Sequence, residues 1–165
     1  MMQSQTSQAR VYVVDDEQVI RKGLKLLLSH QPGLQVCGET DAGSEAAEQI
    51  EALRPDLAIV DVTLKEDNGL KTTRLLRQKF PALKILIFSM HSEASIVQAA
   101  FRAGADGYIT KEEAAEKLIE AIRVLLQGKR YVGKNLVAKM SADCPAGRPP
   151  QRLAPHPIIA AARKN

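Results

Sequence analysis

The chain has 165 residues, 45% of them apolar and 25% charged, enough for one domain with a sizeable core and a short appendage. No apolar run approaches the roughly 20 residues of a membrane-spanning helix, residues 1–10 lack the apolar stretch of a signal peptide, and Cys37 and Cys144 form no metal or disulfide pattern, so a cytoplasmic location is expected. The net charge of +4 and pI near 9.1 come mostly from residues 141–165, where Arg148, Arg152, Arg163 and Lys164 stand against Asp143 alone; the nearly neutral remainder offers no clustered basic face for nucleic acid.

Residues 1–9 read as a disordered N-terminal segment, and from residue 10 strand-like and helix-like segments alternate to about residue 130. Val11-Tyr12-Val13-Val14 is a short continuous apolar run of the kind that makes a buried parallel strand, and it ends at Asp15-Asp16. Ile20, Leu24, Leu27 and Leu28 then recur at helical spacing, and Pro32-Gly33 closes that helix. Leu34 to Gly38 is a weaker second strand, with Cys37 expected as a small core residue. Ala46, Ala47, Ile50 and Leu53 mark a second helix, with Ser44 as its expected N-cap and Pro55 beyond its end.

Leu57-Ala58-Ile59-Val60 is the third strand and ends at Asp61. A loop containing Asn68-Gly69 leads to a helix carrying Leu70, Leu75 and Leu76, stopped near Pro81. Ile85-Leu86-Ile87-Phe88 is the fourth strand and ends at Ser89; Ser92 is available to cap the next helix, which carries Ile96, Val97, Ala100 and Phe101 and finds a C-terminal cap in Gly104. Gly107 to Thr110 is a short fifth strand ending at Lys111, and the fifth helix carries Leu118, Ile119, Ile122, Leu125 and Leu126, with Gly128 past its end. Five βα units predict an α/β fold, a doubly wound parallel sheet with right-handed crossovers. Residues 131–140 read as a short helix or linker, and residues 141–165, which hold five of the eight prolines, as an extended basic tail.

In such sheets ligands bind outside the carboxyl ends of the strands. Asp15, Asp16, Asp61, Ser89 and Lys111 are therefore delivered to one rim. Three carboxylates against one lysine repel one another unless a cation enters, and a few hard oxygen ligands suit Mg²⁺, which shares its shell with phosphate oxygens. Lys111 and the Ser89 hydroxyl would then bind the equatorial oxygens of a phosphoryl group, and Asp61, on the central strand, would serve as nucleophile. The pair on the first strand would hold the metal.

These residues carry a resemblance. Residues 10–130 resemble a response-regulator receiver domain of bacterial two-component signalling, most closely the NarL/LuxR-type subfamily. Asp15-Asp16, Asp61, Ser89 and Lys111 fall at that family's acidic pair, phosphoacceptor, hydroxyl and lysine. Gly69 matches the glycine eight residues past the phosphoacceptor, Tyr108 the switch aromatic, and Phe88-Ser89-Met90-His91 and Ala103-Gly104-Ala105-Asp106-Gly107-Tyr108 are particularly like the subfamily.

The resemblance implies a flavodoxin-like (βα)5 sheet in the order 2-1-3-4-5. It implies phosphoryl transfer from a sensor histidine kinase to Asp61, with Mg²⁺ held by Asp16, Asp61 and the Thr63 carbonyl and by Asp15 through water. Ser89 and Tyr108 would switch the face formed by the fourth helix, fifth strand and fifth helix, with homodimerisation on phosphorylation as one outcome. Met90 and His91 would tune how fast water removes the phosphoryl group. The sequence departs from the family pattern at Lys65 and Glu112, where proline is common, and no C-terminal helix-turn-helix is recognisable; that domain needs roughly 60 further residues. Specific DNA binding by this chain is therefore not expected.

The expected role is a self-phosphorylating and self-dephosphorylating signalling protein, with output through a DNA-binding domain missing here or as a stand-alone relay or sink. An aspartyl-phosphate phosphatase is the enzymatic alternative, but dehalogenase-like phosphatases place a second Asp where this chain has Thr63, and no P-loop is present.

Overall fold

The computed structural model describes residues 7–142. Expectations for residues 1–6, and for residues 143–165 with Cys144 and the basic tail, lie outside the described residues. Strands β1 (Ala9–Val14), β2 (Leu34–Thr40), β3 (Leu57–Val60), β4 (Lys84–Ser89) and β5 (Gly107–Thr110) alternate with helices α1 (Gln18–Ser29), α2 (Gly43–Leu53), α3 (Gly69–Lys79), α4 (Ala94–Ala103) and α5 (Ala115–Leu126). They are followed by β6 (Tyr131–Val132) and α6 (Lys134–Ala142). All strands pair in parallel, in the order β2-β1-β3-β4-β5-β6.

Successive strand residues point to opposite faces, which splits the core into two layers. Tyr12, Val14, Ala58, Val60, Ile85 and Ile87 face α2, α3 and α4. Val11, Val13, Leu57, Ile59, Leu86 and Ile109 face α1 and α5, whose Leu24, Leu28, Leu118, Ile122 and Leu125 complete that layer. Both faces of the central strands are covered, so β3 is buried along its whole length and reads in sequence as an unbroken apolar run.

Three local expectations are corrected. Ser44 does not cap α2: it lies inside the first turn behind the N-cap Ala42, and its N–H donates to Asp67 Oδ2 at 3.0 Å. Ser92 does not cap α4 either, because the N-cap is Glu93 and the Ser92 hydroxyl instead accepts from Lys139 Nζ at 2.7 Å. Leu75 is exposed. The inner face of α3 is made by Thr73, Leu76 and Arg77, a partly polar stripe that a search for leucine periodicity passes over.

The sheet continues past the five strands implied by the resemblance. After Gly128, Tyr131 N donates to Asp106 O and Gly133 N to Tyr108 O, so β6 pairs along the free edge of β5. Two residues are too few to show a period in sequence, but they cover an edge that would otherwise expose unpaired backbone groups. Helix α6 then packs against α4, with Leu136 only 1% exposed in the same core layer as Val97, Phe101 and Tyr108. It runs to Ala142, so residues 141 and 142 belong to a helix and not to the expected tail.

Candidate functional site

The parallel register sets the rim. Val14 pairs with Val60 and Val60 with Ile87, while Ser89 pairs with Thr110. The ladder runs one step beyond the strands: Asp15 N donates to Thr40 O, Asp61 N to Val14 O and Lys111 N to Ser89 O. Asp15, Asp61, Ser89 and Lys111 thus project from adjacent strand ends at one edge of the sheet.

Lys111 is the hub. Its Nζ lies 2.8 Å from Asp15 Oδ2, 2.9 Å from Asp61 Oδ2 and 3.0 Å from Glu17 Oε1. The side chains of Lys111, Asp15 and Asp61 are each at most 5% exposed, whereas that of Glu17 is 54% exposed. Burial opposes the Lys111 charge, but the bonds from Asp15, Asp61 and Glu17 outweigh it and hold the ammonium above its ordinary range. Burial raises the Asp15 carboxyl, and the Lys111 bond and the Glu17 N–H only partly offset that.

Asp16 is less buried and turns toward the β3–α3 loop, where its Oδ2 accepts from Lys65 N at 3.1 Å. Donor oxygens of Asp15, Asp16, Glu17 and Asp61 all lie within 4.8 Å of one another. Glu17 was missed by the sequence reasoning, although the run Asp15-Asp16-Glu17 was a visible signal. Four carboxylates against one ammonium leave a net negative cavity of hard oxygens, the donor set a small divalent cation takes.

The loop after Asp61 curls back over the site. Thr63 N donates to Asp61 Oδ1 at 3.2 Å, and Gly69 N to Val62 O at 2.9 Å. Gly69 is required by close approach: a Cβ there would stand 1.8 Å from the Asp61 carbonyl oxygen. Asn68 caps α3 through its side chain, which accepts from Leu70 N.

On the other side of the rim Ser89 is fully buried, and its Oγ accepts from His91 N at 3.2 Å. His91 Nε2 lies 2.8 Å from Thr63 Oγ1, linking the loops after β3 and β4. Tyr108 is buried, donates its hydroxyl to His91 O at 2.7 Å, and is pushed up to about 12 by that burial. Met90 stands out from the rim at 58% exposure. The Lys111–Glu112 bond is trans, as is every peptide bond among the described residues.

Comparison with known proteins identifies the family. Residues 11–123 match the model of the response regulator receiver domain. The chain is 36% identical over 123 residues to the transcriptional regulatory protein DegU of Brevibacillus brevis, covering 74% of this chain and 52% of that protein. It is 33% identical over 140 residues to the nitrate/nitrite response regulator NarL of Escherichia coli strain K12, covering 85% and 65%. The chain therefore spans about half to two-thirds of the length of these curated relatives. A crystal structure of a two-component response regulator of the LuxR family from Aurantimonas superposes with a TM-score of 0.79 at 34% identity, covering 82% of this chain and 97% of that one.

Proposed function

The chain belongs to the response regulator receiver family, and from that premise we propose that Asp61 accepts a phosphoryl group from the phosphohistidine of a sensor histidine kinase. The observation that carries the reading is the Lys111 hub: one buried ammonium joins Asp61 on the central strand to Asp15 on its neighbour. In the transfer the kinase's N–P bond breaks, a carboxylate oxygen of Asp61 forms the new O–P bond, and the imidazole keeps the electron pair and takes up a proton. Lys111 turns from Asp61 toward the phosphoryl oxygens, and the Ser89 hydroxyl donates to another of them.

Asp16, Asp61 and the Thr63 carbonyl would hold Mg²⁺, with Asp15 acting through water. Bound there, the ion neutralises charge developing on the transferring phosphoryl oxygens. The four-carboxylate cluster supports this assignment, since Lys111 alone leaves its repulsion uncompensated. Water later hydrolyses the acyl phosphate, so both steps run on this chain's own residues. His91 on the Thr63 hydroxyl, and Met90 beside it, govern how water reaches Asp61.

The new negative charge biases Ser89 and Tyr108, and through them the α4-β5-α5 face, toward one of two arrangements. A kinase, and a second copy of the chain after phosphorylation, are the partners; a cytoplasmic location follows from that chemistry, and among the described residues no helix is long and apolar enough to cross a membrane. Transcription regulation would need a DNA-binding domain beyond the described residues.

The test is incubation with a small phosphodonor and Mg²⁺. One acid-stable, base-labile phosphoryl group is expected, lost in Asp61→Asn and on chelation of the metal. Labelling of Asp61→Asn at the wild-type rate overturns the assignment.

A further inference from the structure

Lys111 has three N–H donors, and all three are committed to carboxylates that differ sharply in setting. Asp15 and Asp61 are buried, at 3% and 5% exposure of their side chains, and Glu17 is 54% exposed. Glu17 is the N-cap residue of α1, and its own N–H donates to Asp15 Oδ1 at 2.9 Å. Its backbone is thus pinned beside the site while its half-exposed side chain reaches inward to the buried Lys111 ammonium.

A phosphoryl group arriving on Asp61 brings oxygens that need a donor from Lys111, and the ammonium has no fourth. Once esterified, Asp61 is no longer a carboxylate and releases one N–H to a phosphoryl oxygen, so a second phosphoryl oxygen must take its donor from Asp15 or from Glu17. The Asp15 bond lies in a low-dielectric setting where an unpartnered carboxylate is costly, whereas a carboxylate released at the surface regains its hydration and loses a pair that contributes little. The pair that yields most easily is Lys111–Glu17.

We propose that Glu17 is a positioning residue that parks the third N–H of Lys111 and competes with phosphoryl oxygens for it. Its charge opposes the approach of an anionic phosphodonor, and its carboxylate recaptures Lys111 whenever the phosphoryl oxygens let go. Glu17 therefore acts as a brake on entry to the phosphorylated state and a pull out of it. This rests on the phosphoacceptor reading of Asp61 and assigns Glu17 to the lysine, not to the metal.

The test uses the full chain with acetyl phosphate and Mg²⁺, comparing wild type with Glu17→Gln, which keeps size and removes charge. Glu17→Gln is expected to lower the half-saturating donor concentration roughly two- to fivefold with little change in maximal rate, and to slow loss of the phosphoryl group. Glu17→Asp, too short to reach Lys111 from the pinned backbone, should also slow that loss. Mg²⁺ affinity, read by calorimetric titration of the unphosphorylated protein, should fall less in Glu17→Gln, which removes only a neighbouring charge, than in Asp16→Asn, which removes a carboxylate assigned to the ion. Unchanged or slower phosphorylation of Glu17→Gln, or a loss of Mg²⁺ affinity as large as that of Asp16→Asn, overturns the proposal. If instead Asp61→Asn is labelled like wild type, the phosphoacceptor reading itself fails, so the two failures are distinguishable.

Discussion

At the amino-terminal edge of the sheet Asp106 meets Arg77, and at the carboxyl-terminal edge Asp15 and Asp61 meet Lys111. Both are buried ion pairs, yet their accounting of charges and hydrogen bonds is opposite. Arg77 bonds Gly104 O through Nε, Pro81 O and Leu83 O through Nη1, and Asp106 through Nη2. Asp106 also accepts from Ile85 N at 2.9 Å. One cation faces one anion and every guanidinium nitrogen is engaged, so nothing is left over to bind a ligand. At the other edge one ammonium serves three carboxylates while a fourth stands nearby, an imbalance that an added cation or a proton relieves. A satisfied pair fastens the fold; an unbalanced cluster is equipped for a reaction.

The sharpest way to break this comparison is to remove each cation's partner network. Arg77→Ala should destabilise by about 3–5 kcal/mol in denaturant unfolding, because it leaves Asp106 buried and uncompensated. A variant as stable as wild type would show that the amino-terminal pair fastens nothing. A smaller effect should come from Mg²⁺. At a concentration one hundred times its dissociation constant the ion should add about 2.7 kcal/mol to wild type by mass action. The increment should vanish in Asp16→Asn and persist in a folded Arg77 variant such as Arg77→Lys. Equal thermal midpoints with Mg²⁺ and with chelator would remove the metal from the rim.

The smallest effect is a pH dependence in metal-free protein. Burial holds the Asp15 carboxyl above its ordinary 3.8. A carboxyl raised on folding binds its proton more readily in the folded state, so its stabilising contribution is complete below the ordinary value and is lost as pH rises through the folded one. Relative to Asp15→Asn, wild type should therefore gain stability as pH falls through the raised folded-state value toward the ordinary 3.8. A shift of opposite sign in chemical unfolding would mean that the Lys111 bond outweighs burial at Asp15.

Legibility in sequence followed from how local each feature is. The rim was legible because strand ends are local: an apolar run stops, and the next residue is the one displayed. Glu17 was overlooked because its role depends on reaching Lys111, 94 positions away in the chain. The Arg77–Asp106 node was hidden for the same reason, since Arg77 reads as an ordinary charged residue on a helix surface. Gly104 was legible as a helix cap with φ of 113°, but the Arg77 side chain packed against it, where a Cβ would stand 2.6 Å from Cγ, was not. Ser44 and Ser92 misled because a capping residue near a helix start is a statistical signal, and tertiary partners claimed both.

By itself the sequence determined the alternation of strands and helices, the two-faced parallel sheet and the residues standing at its carboxyl edge, since hydrophobic periodicity and chain order are written residue by residue. Only the tertiary structure decided which carboxylates share Lys111, which cation is locked into the core, and that β6 and α6 fold back over β5 and α4. Those outcomes depend on burial and on donors and acceptors brought together from distant positions, and no local pattern encodes which long-range partner a charged side chain will find.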